Sequence, residues 1–245
     1  EDQELAAVEH GLDLFVEKPL ALSTEKAHEI RDAIEEAGVV SAVGYQLRYA
    51  NAVERAAEIL ADRTVRMVEG YYKAGLPGVP WWRVYDQSGG QVVEQATHVY
   101  DLMRLFGGEI AEISAYGGRR VVEEIDFADA VSANLRFENG AVGNVASASS
   151  TPGGDGGERG RGARILAEGC NLHLRRNHLT GVVDGEEIEF DGENDTDDDV
   201  VAGFVHAATE SDPDAVRCDY ADACRTFEAT LAVNESLDSG DPVQL

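Results

Sequence analysis

The sequence predicts an α/β segment followed by a larger α+β unit with an open-faced, mostly antiparallel sheet and helices on one face. Near the start, helical patterns alternate with short buried-strand patterns, the rhythm of a parallel sheet with covering helices. From residue 49 onward the periodicity changes to a series of alternating strand-like segments, interrupted and closed by a few helices. The 245 residues suffice for a substantial core. The expected division is 1–48 and 49–245.

Residues 1–10 read as a helix that Gly11 stops, and 12–16 is a short apolar run of strand type. Pro19 then interrupts. Ser23-Thr24-Glu25-Lys26 opens a second helix with Ser23 or Thr24 as its cap, and Ala27, Ile30, Ala33, Ile34 and Ala37 keep helical spacing as far as Gly38. The next strand is 39–44. No glycine-rich strand-to-helix turn precedes these elements, nor an acidic residue about 20 positions beyond one, so the sequence reads as starting in mid-domain. A helix over 51–61 leads into strands over 65–73, 110–120, 130–137, 141–147, 163–167, 171–175 and 181–190, with Glu138-Asn139-Gly140 as a hairpin turn. Further helices are expected over 92–106, 198–209 and 220–237. The glycine-rich stretch 151–162 can bury no core and reads as a mobile loop. The acidic run 191–199 reads as a solvated loop rather than a calcium site, since the ligand order and central glycine of such a site are missing.

The net charge of −27 repels nucleic acid phosphates and anionic lipid headgroups, so neither nucleic acid nor membrane is an expected partner. Among the 20 basic residues only Lys18, Lys26 and Lys73 are lysine, and the acidic residues are spread along the whole chain. That pattern resembles proteins adapted to concentrated salt, in which screening shortens to about 3 Å at 1 M. No apolar run approaches the roughly 20 residues of a membrane span, and the acidic N-terminus is unlike a secretory signal; the expected location is cytoplasmic. Cys170, Cys218 and Cys224 have neither CxxC spacing nor an accompanying histidine, and read as free, buried thiols. An open sheet face, with apolar side chains on alternate positions of 130–147, predicts a homo-oligomer.

Two stretches carry chemistry. Glu17-Lys18-Pro19 follows a buried strand, which places a lysine at the carboxyl edge of a parallel sheet, where ligands bind in such folds. Its retention in a chain that otherwise prefers arginine favours a role for a compact point charge over a surface lysine before a turn. In Gly89-Gly90-Gln91-Val92-Val93-Glu94-Gln95-Ala96-Thr97-His98-Val99-Tyr100-Asp101, a helix beginning near Val92 puts Glu94 and His98 four apart on one face, with Asp101 three further on. A carboxylate oriented on an imidazole suits a general base near neutral pH; a dipole-favoured carboxylate beside a half-buried histidine is the structural alternative. The pair could instead ligate a metal, but no third or fourth ligand accompanies it, and no metal is expected.

EHGLDLFVEKPLAL (from Glu9), VGYQLRY (from Val43), WWR (from Trp81), GGQVVEQATHVYDLMRLFGGEI (from Gly89) and AVNESLDSGDPVQL (from Ala232) are weak singly and specific in their order and spacing. Together they resemble the glucose-fructose oxidoreductase and inositol dehydrogenase family of sugar dehydrogenases. The resemblance implies the remnant of a Rossmann dinucleotide-binding domain, its front end missing, followed by a substrate-binding and oligomerisation domain, with NAD or NADP as cofactor. It implies cofactor contacts from Glu17, Lys18, Pro19, Gln46, Arg48, Trp82 and Arg83. It gives His98 as the group that takes the substrate hydroxyl proton, Lys18 as the group that polarises the same oxygen, and Glu94, commonly aspartate in the family, as orienter or substrate contact. Tyr45 joins Glu94 and His98 on the substrate side, and Lys18 or Tyr45 is the alternative base. A tyrosine that some members place before the penultimate helix has no counterpart in 191–199. The implied reaction is reversible oxidation of a secondary alcohol of a sugar, cyclitol or sugar derivative, by a chain expected to be inactive alone. A rival reading is a non-catalytic ligand-binding or assembly protein that kept only the sheet.

Overall fold

The computed structural model describes residues 2–149 and 160–245. Helix α1 (Asp2–Glu9), strand β1 (Leu14–Val16), helix α2 (Thr24–Ala37) and strand β2 (Ser41–Val43) come first. β1 and β2 pair in parallel, Leu14 opposite Ser41 and Val16 opposite Val43. α2 has the caps its sequence announces: Ser23 Oγ accepts from the Lys26 N–H at 3.3 Å, and Gly38 ends the helix in the left-handed region at φ 64°.

A 3₁₀ turn (Gln46–Tyr49) leads to α3 (Asn51–Leu60) and β3 (Val65–Lys73). A second 3₁₀ turn (Pro80–Arg83) and the one-turn helix α4 (Tyr85–Ser88) precede a π-helical turn (Val92–Ala96), which runs directly into α5 (Thr97–Gly107). β4 (Ile110–Gly118), β5 (Ala130–Phe137), β6 (Val142–Ala148), β7 (Gly160–Ala167), β8 (Cys170–Arg175), β9 (His178–Val183) and β10 (Glu186–Asp191) follow. α6 (Thr196–Glu210), the 3₁₀ turn Pro213–Ala215, α7 (Tyr220–Ser239) and β11 (Val243–Gln244) close the chain. Among the described residues the larger sheet runs β10-β9-β8-β7-β3-β6-β5-β4-β11, and only the β3 and β6 pair is parallel.

α5 and α7 cover one face of this sheet. Val131, Ala133, Leu135 and Phe137 of β5 are buried in one core with Val99 and Met103 of α5 and Ala229 and Val233 of α7. Each Val, Leu, Phe or Met side chain among them contributes about 1.5–3 kcal/mol by leaving water. α5 sits close to β3 because Gly70 has no side chain: a Cβ there would meet Val99 Cγ1 at 2.5 Å and Met103 Sδ at 2.9 Å. A second core joins Val16, Ile30, Val43 and Tyr45 to Tyr220, Ala223 and Phe227, so α7 packs on both sheets and ties the end of β1 to the helix that carries His98.

The structure corrects several expectations. The single strand over 181–190 is a hairpin, β9 and β10, turned by Asp184 (φ 52°) and Gly185 (φ 90°), an Asp-Gly turn signal inside an otherwise strand-like run. The apolar alternates of 130–147 face the helices, and the open face of β5 presents Ser132, Asn134 and Arg136. The acidic run does not stay irregular throughout: Asp195 caps α6, accepting from the Asp197 N–H at 3.0 Å, and the helix starts at Thr196 rather than 198. Most of the glycine-rich stretch, 151–159, lies outside the described residues, while Gly160, Arg161 and Gly162 belong to β7. The thiols of Cys170, Cys218 and Cys224 are free and buried. Among the described residues no helix is long and apolar enough to cross a membrane.

Candidate active site

Two residues past β1, Lys18 extends its ammonium to the π-helical turn. Lys18 Nζ donates to the Glu94 backbone carbonyl at 2.7 Å and to Glu94 Oε1 at 3.2 Å. Both side chains are largely buried, 16% and 15% exposed, so the pair holds its geometry with little competition from water. Burial pushes the Glu94 carboxyl upward against the opposing pull of Lys18. Glu17 is exposed, with its carboxylate against Gly44, and Pro19 is half-buried behind a cis Lys18-Pro19 peptide.

The π-helical turn changes the partnership read from the spacing. In an α-helix Glu94 and His98 would stack, but the turn that begins α5 carries an extra residue and takes them out of register. Glu94 pairs with Lys18, and among the described residues no hydrogen bond joins it to His98. His98 is buried, and its Nδ1 has no hydrogen-bond partner among the described residues. Burial, with the positive charges of Arg161 and Lys18 behind it, holds the imidazole pKa well below its ordinary value, so His98 is neutral near pH 7. A neutral imidazole can accept a proton, and the charge it then acquires is disfavoured until the proton moves on. Tyr45 meets His98 edge to face with ring centroids 6.0 Å apart, and its hydroxyl shares a 2.7 Å hydrogen bond with Thr97 Oγ1. Burial and the Asp101 charge raise the Tyr45 pKa well above that of a free phenol, which makes it a poor base.

Arg48 lies elsewhere. It clamps Asp101 through Nε at 2.9 Å and Nη2 at 2.6 Å, and reaches Asp222 at 2.6 Å and the Arg217 carbonyl at 2.7 Å through Nη1. Arg104 joins from the other side, to Asp222 at 2.8 Å and Glu109 at 2.9 Å. Burial pushes the Asp222 carboxyl up, but the two guanidiniums prevail and hold it well below the usual carboxylate range. These bonds commit Arg48 and Asp101 to a ring of charge that locks the Gln46–Tyr49 turn, α5 and α7 together. Arg48 is thus a structural tie between these elements.

Gln46 is half-buried, and its Oε1 is buried without a partner. Trp82 is fully buried in a separate small cluster with Val122 and Ile125, edge to face with Phe127 at 5.2 Å. Arg83 donates to the Val79 carbonyl at 3.1 Å. The structure thus gathers Lys18, Glu94, His98 and Tyr45, and leaves Trp82 and Arg83 on a neighbouring loop. Sequence reasoning missed Tyr72 and Arg161. Arg161 is close enough to act on both Tyr72 and His98, and Glu94 raises the Tyr72 pKa, which burial has already lifted. Their only signal was position, at paired sites of β3 and β7.

Residues 1–45 match a family model described as an oxidoreductase family with an NAD-binding Rossmann fold, and 55–169 match one described as the GFO/IDH/MocA C-terminal domain. The scyllo-inositol 2-dehydrogenase (NAD(+)) of Bacillus subtilis is 31% identical over 163 residues, 62% of this chain and 46% of that protein. The chain spans less than half the length of the curated relatives it first matches, 31% and 46% in two cases. A protein from Thermotoga maritima superposes with a TM-score of 0.89 at 17% identity, covering 100% of this chain and 76% of that one. A levoglucosan dehydrogenase in complex with NADH and levoglucosan superposes at 0.85 and 21% identity, covering 100% and 77%. These two likenesses concern the fold. Lys18 falls within the first family match and Glu94 and His98 within the second, in the same order as the elements that hold them, and the chain belongs to the GFO/IDH/MocA oxidoreductase family.

Proposed function

We propose that this protein reversibly oxidises a secondary alcohol of a sugar, cyclitol or sugar derivative with NAD or NADP. The observation that carries the reading is a buried, neutral His98 within electrostatic reach of Lys18, at the carboxyl end of β1. Lys18 polarises the substrate oxygen and stabilises the alkoxide that develops on it, while His98 takes the hydroxyl proton. Glu94 fixes Lys18 through two acceptors and so acts on the reaction by positioning. Around the nicotinamide we place Glu17, Lys18, Pro19 and the unpartnered Gln46 Oε1, with Trp82 and Arg83 on the adjoining loop; an orphaned buried acceptor fits a ligand that brings a donor. The bound cofactor supplies the hydride acceptor that no side chain provides. We take 1–48 as the C-terminal part of the dinucleotide-binding domain and 49–245 as the substrate and oligomerisation domain, a division supported by the two family matches. The direct test is reduction of NAD or NADP by the full chain, meaning this sequence joined to a nucleotide-binding half, with a panel of sugars and polyols; activity with none of them refutes the reading.

The charge pattern supports salt adaptation. At low ionic strength unscreened carboxylates repel one another across a surface of net charge −27. The unfolding midpoint is expected to rise steeply between about 0.1 and 3 M KCl, as the screening length shrinks from about 10 Å to a few ångströms. A flat or falling midpoint in a thermal melt contradicts this. A cytoplasmic location belongs to the same reading, and the free thiols agree with a reducing compartment.

The open sheet face supports a twofold homo-oligomer. It carries Tyr116, 72% exposed, and Val142, 48% exposed, among Ser132, Asn134 and Arg136, so the contact is mixed rather than apolar. Sedimentation in high salt is expected to report at least a dimer at micromolar concentration; a strict monomer counts against it.

A further inference from the structure

A cavity of about 1230 Å³ lies at the carboxyl end of β3, against the first residues of β7 and the β8 to β9 turn. Its lining is the reverse of the chain as a whole. Lys73, Arg161, Arg175 and Arg176, four of the 20 basic residues of a chain with net charge −27, border it together with His178, and among the described residues Asp195 is the one carboxylate in the lining. Arg161, Arg175 and Arg176 form no ion pair among the described residues, whereas Arg48, Arg63, Arg104 and Arg217 have carboxylate partners and Arg66, Arg83, Arg119, Arg120 and Arg164, like the cavity arginines, have none. Burial, with the neighbouring Arg176, holds the Arg161 pKa below that of a free arginine against the opposing pulls of Tyr72 and Asp197.

The cavity adjoins the catalytic groups. β3, which brings Tyr72 and Lys73 to its wall, packs against the π-helical turn that carries Glu94, and α5, which carries His98, packs on β3 and β7. Tyr72 and Arg161 face each other across the β3 and β7 pairing. Lys18 and His98 handle a hydroxyl; a polyoxygen anion elsewhere on the same molecule matches the guanidiniums, which bind carboxylate and phosphate in bidentate fashion.

Resting on the dehydrogenase reading, we propose that the substrate is an acidic sugar, whose carboxylate or phosphate Arg161, assisted by Arg175 and Arg176, receives in this cavity while Lys18 and His98 hold the reacting hydroxyl. Charge-assisted hydrogen bonds of this kind are worth about 1.5–3 kcal/mol, or roughly 10- to 150-fold in apparent affinity.

The experiment compares D-glucuronate, D-glucose 6-phosphate and UDP-glucose with uncharged D-glucose, in the full chain at one fixed ionic strength. Turnover is followed with NAD and NADP, and binding by calorimetry without cofactor. The expected result is a kcat/KM at least tenfold higher for one acidic sugar than for glucose, the ratio falling tenfold or more in Arg161→Gln and less in the exposed Arg176→Gln. Preference for glucuronate identifies a carboxylate, and preference for either of the others a phosphate. Equal turnover of charged and uncharged sugars, or a ratio untouched by Arg161→Gln in a folded variant, overturns the proposal. Anion binding that depends on Arg161, without turnover of any sugar, upholds the anion site and refutes the dehydrogenase reading. Absence of both binding and preference overturns the anion site.

Discussion

His98→Asn is expected to lower kcat by roughly 10²- to 10⁴-fold in the full chain, with cofactor affinity little changed, because a positioned base acts in the transition state. The buried, neutral imidazole is the reason. Its depressed pKa places the acid limb of kcat/KM below about pH 6.5, the value of a free imidazole, since His98 in the folded protein stays unprotonated where a free histidine would already be charged. Lys18→Met is expected to be comparably damaging, as it removes both a charge and a donor at the reacting oxygen. Glu94→Gln keeps an acceptor and the backbone carbonyl for Lys18, so its loss is smaller and is recovered in part by Glu94→Asp; kinetics at several pH values separate the three. An acid limb that His98→Asn leaves in place, with near-normal turnover, removes His98 from the role of base.

Arg48→Met is expected to destabilise the protein by about 3–5 kcal/mol, because Asp101 is left buried with its bidentate partner gone. For a chain of this size that is roughly 6–20 °C in the unfolding midpoint, at about 2–4 °C per kcal/mol. The exposures support the magnitude: the Arg48 side chain is 9% exposed and that of Asp101 1%. The double variant Arg48→Met with Asp101→Leu is expected to recover most of the loss, as it leaves no buried charge unpaired, Asp222 keeping Arg104. Weaker NAD binding without a change in melting would instead return Arg48 to the cofactor. Acid adds a second check. Asp222 has its folded pKa depressed below the unfolded value of about 3.9, so its contribution is complete above that pH and is lost as the pH falls through the folded value.

Much of this was legible in the sequence, for reasons that can be named residue by residue. Lys18 stood out because lysine is rare in the chain, and its place after a buried strand gave its position at the sheet edge. Ser23, Gly38 and the Asn139-Gly140 turn were read correctly because caps and tight turns are local chemistry. The pairing of Glu94 with His98 was misread because a four-residue spacing presumes an unbroken α-helix, and nothing in Val92 to Ala96 announces a π-helical turn. Arg161 was hidden by composition. Its flanking glycines read as a mobile loop, whereas Gly162 lies in β7 with the Leu174 carbonyl where a side chain would begin, so the glycine there serves close strand packing. The ion pairs of Arg48 were not legible because its partners, Asp101 and Asp222, lie far along the chain, and sequence spacing carries no record of such contacts.

In the proposed reaction hydride leaves a carbinol carbon while His98 takes the hydroxyl proton. This is tested most directly by incubating the full chain with NAD or NADP and sugars deuterated at their carbinol carbons, and weighing the reduced nicotinamide by mass spectrometry. One deuterium is expected on the reduced cofactor from at least one sugar, formed far more slowly in His98→Asn. Deuterium released to solvent, or no reduced cofactor from any sugar that calorimetry shows to bind, contradicts it.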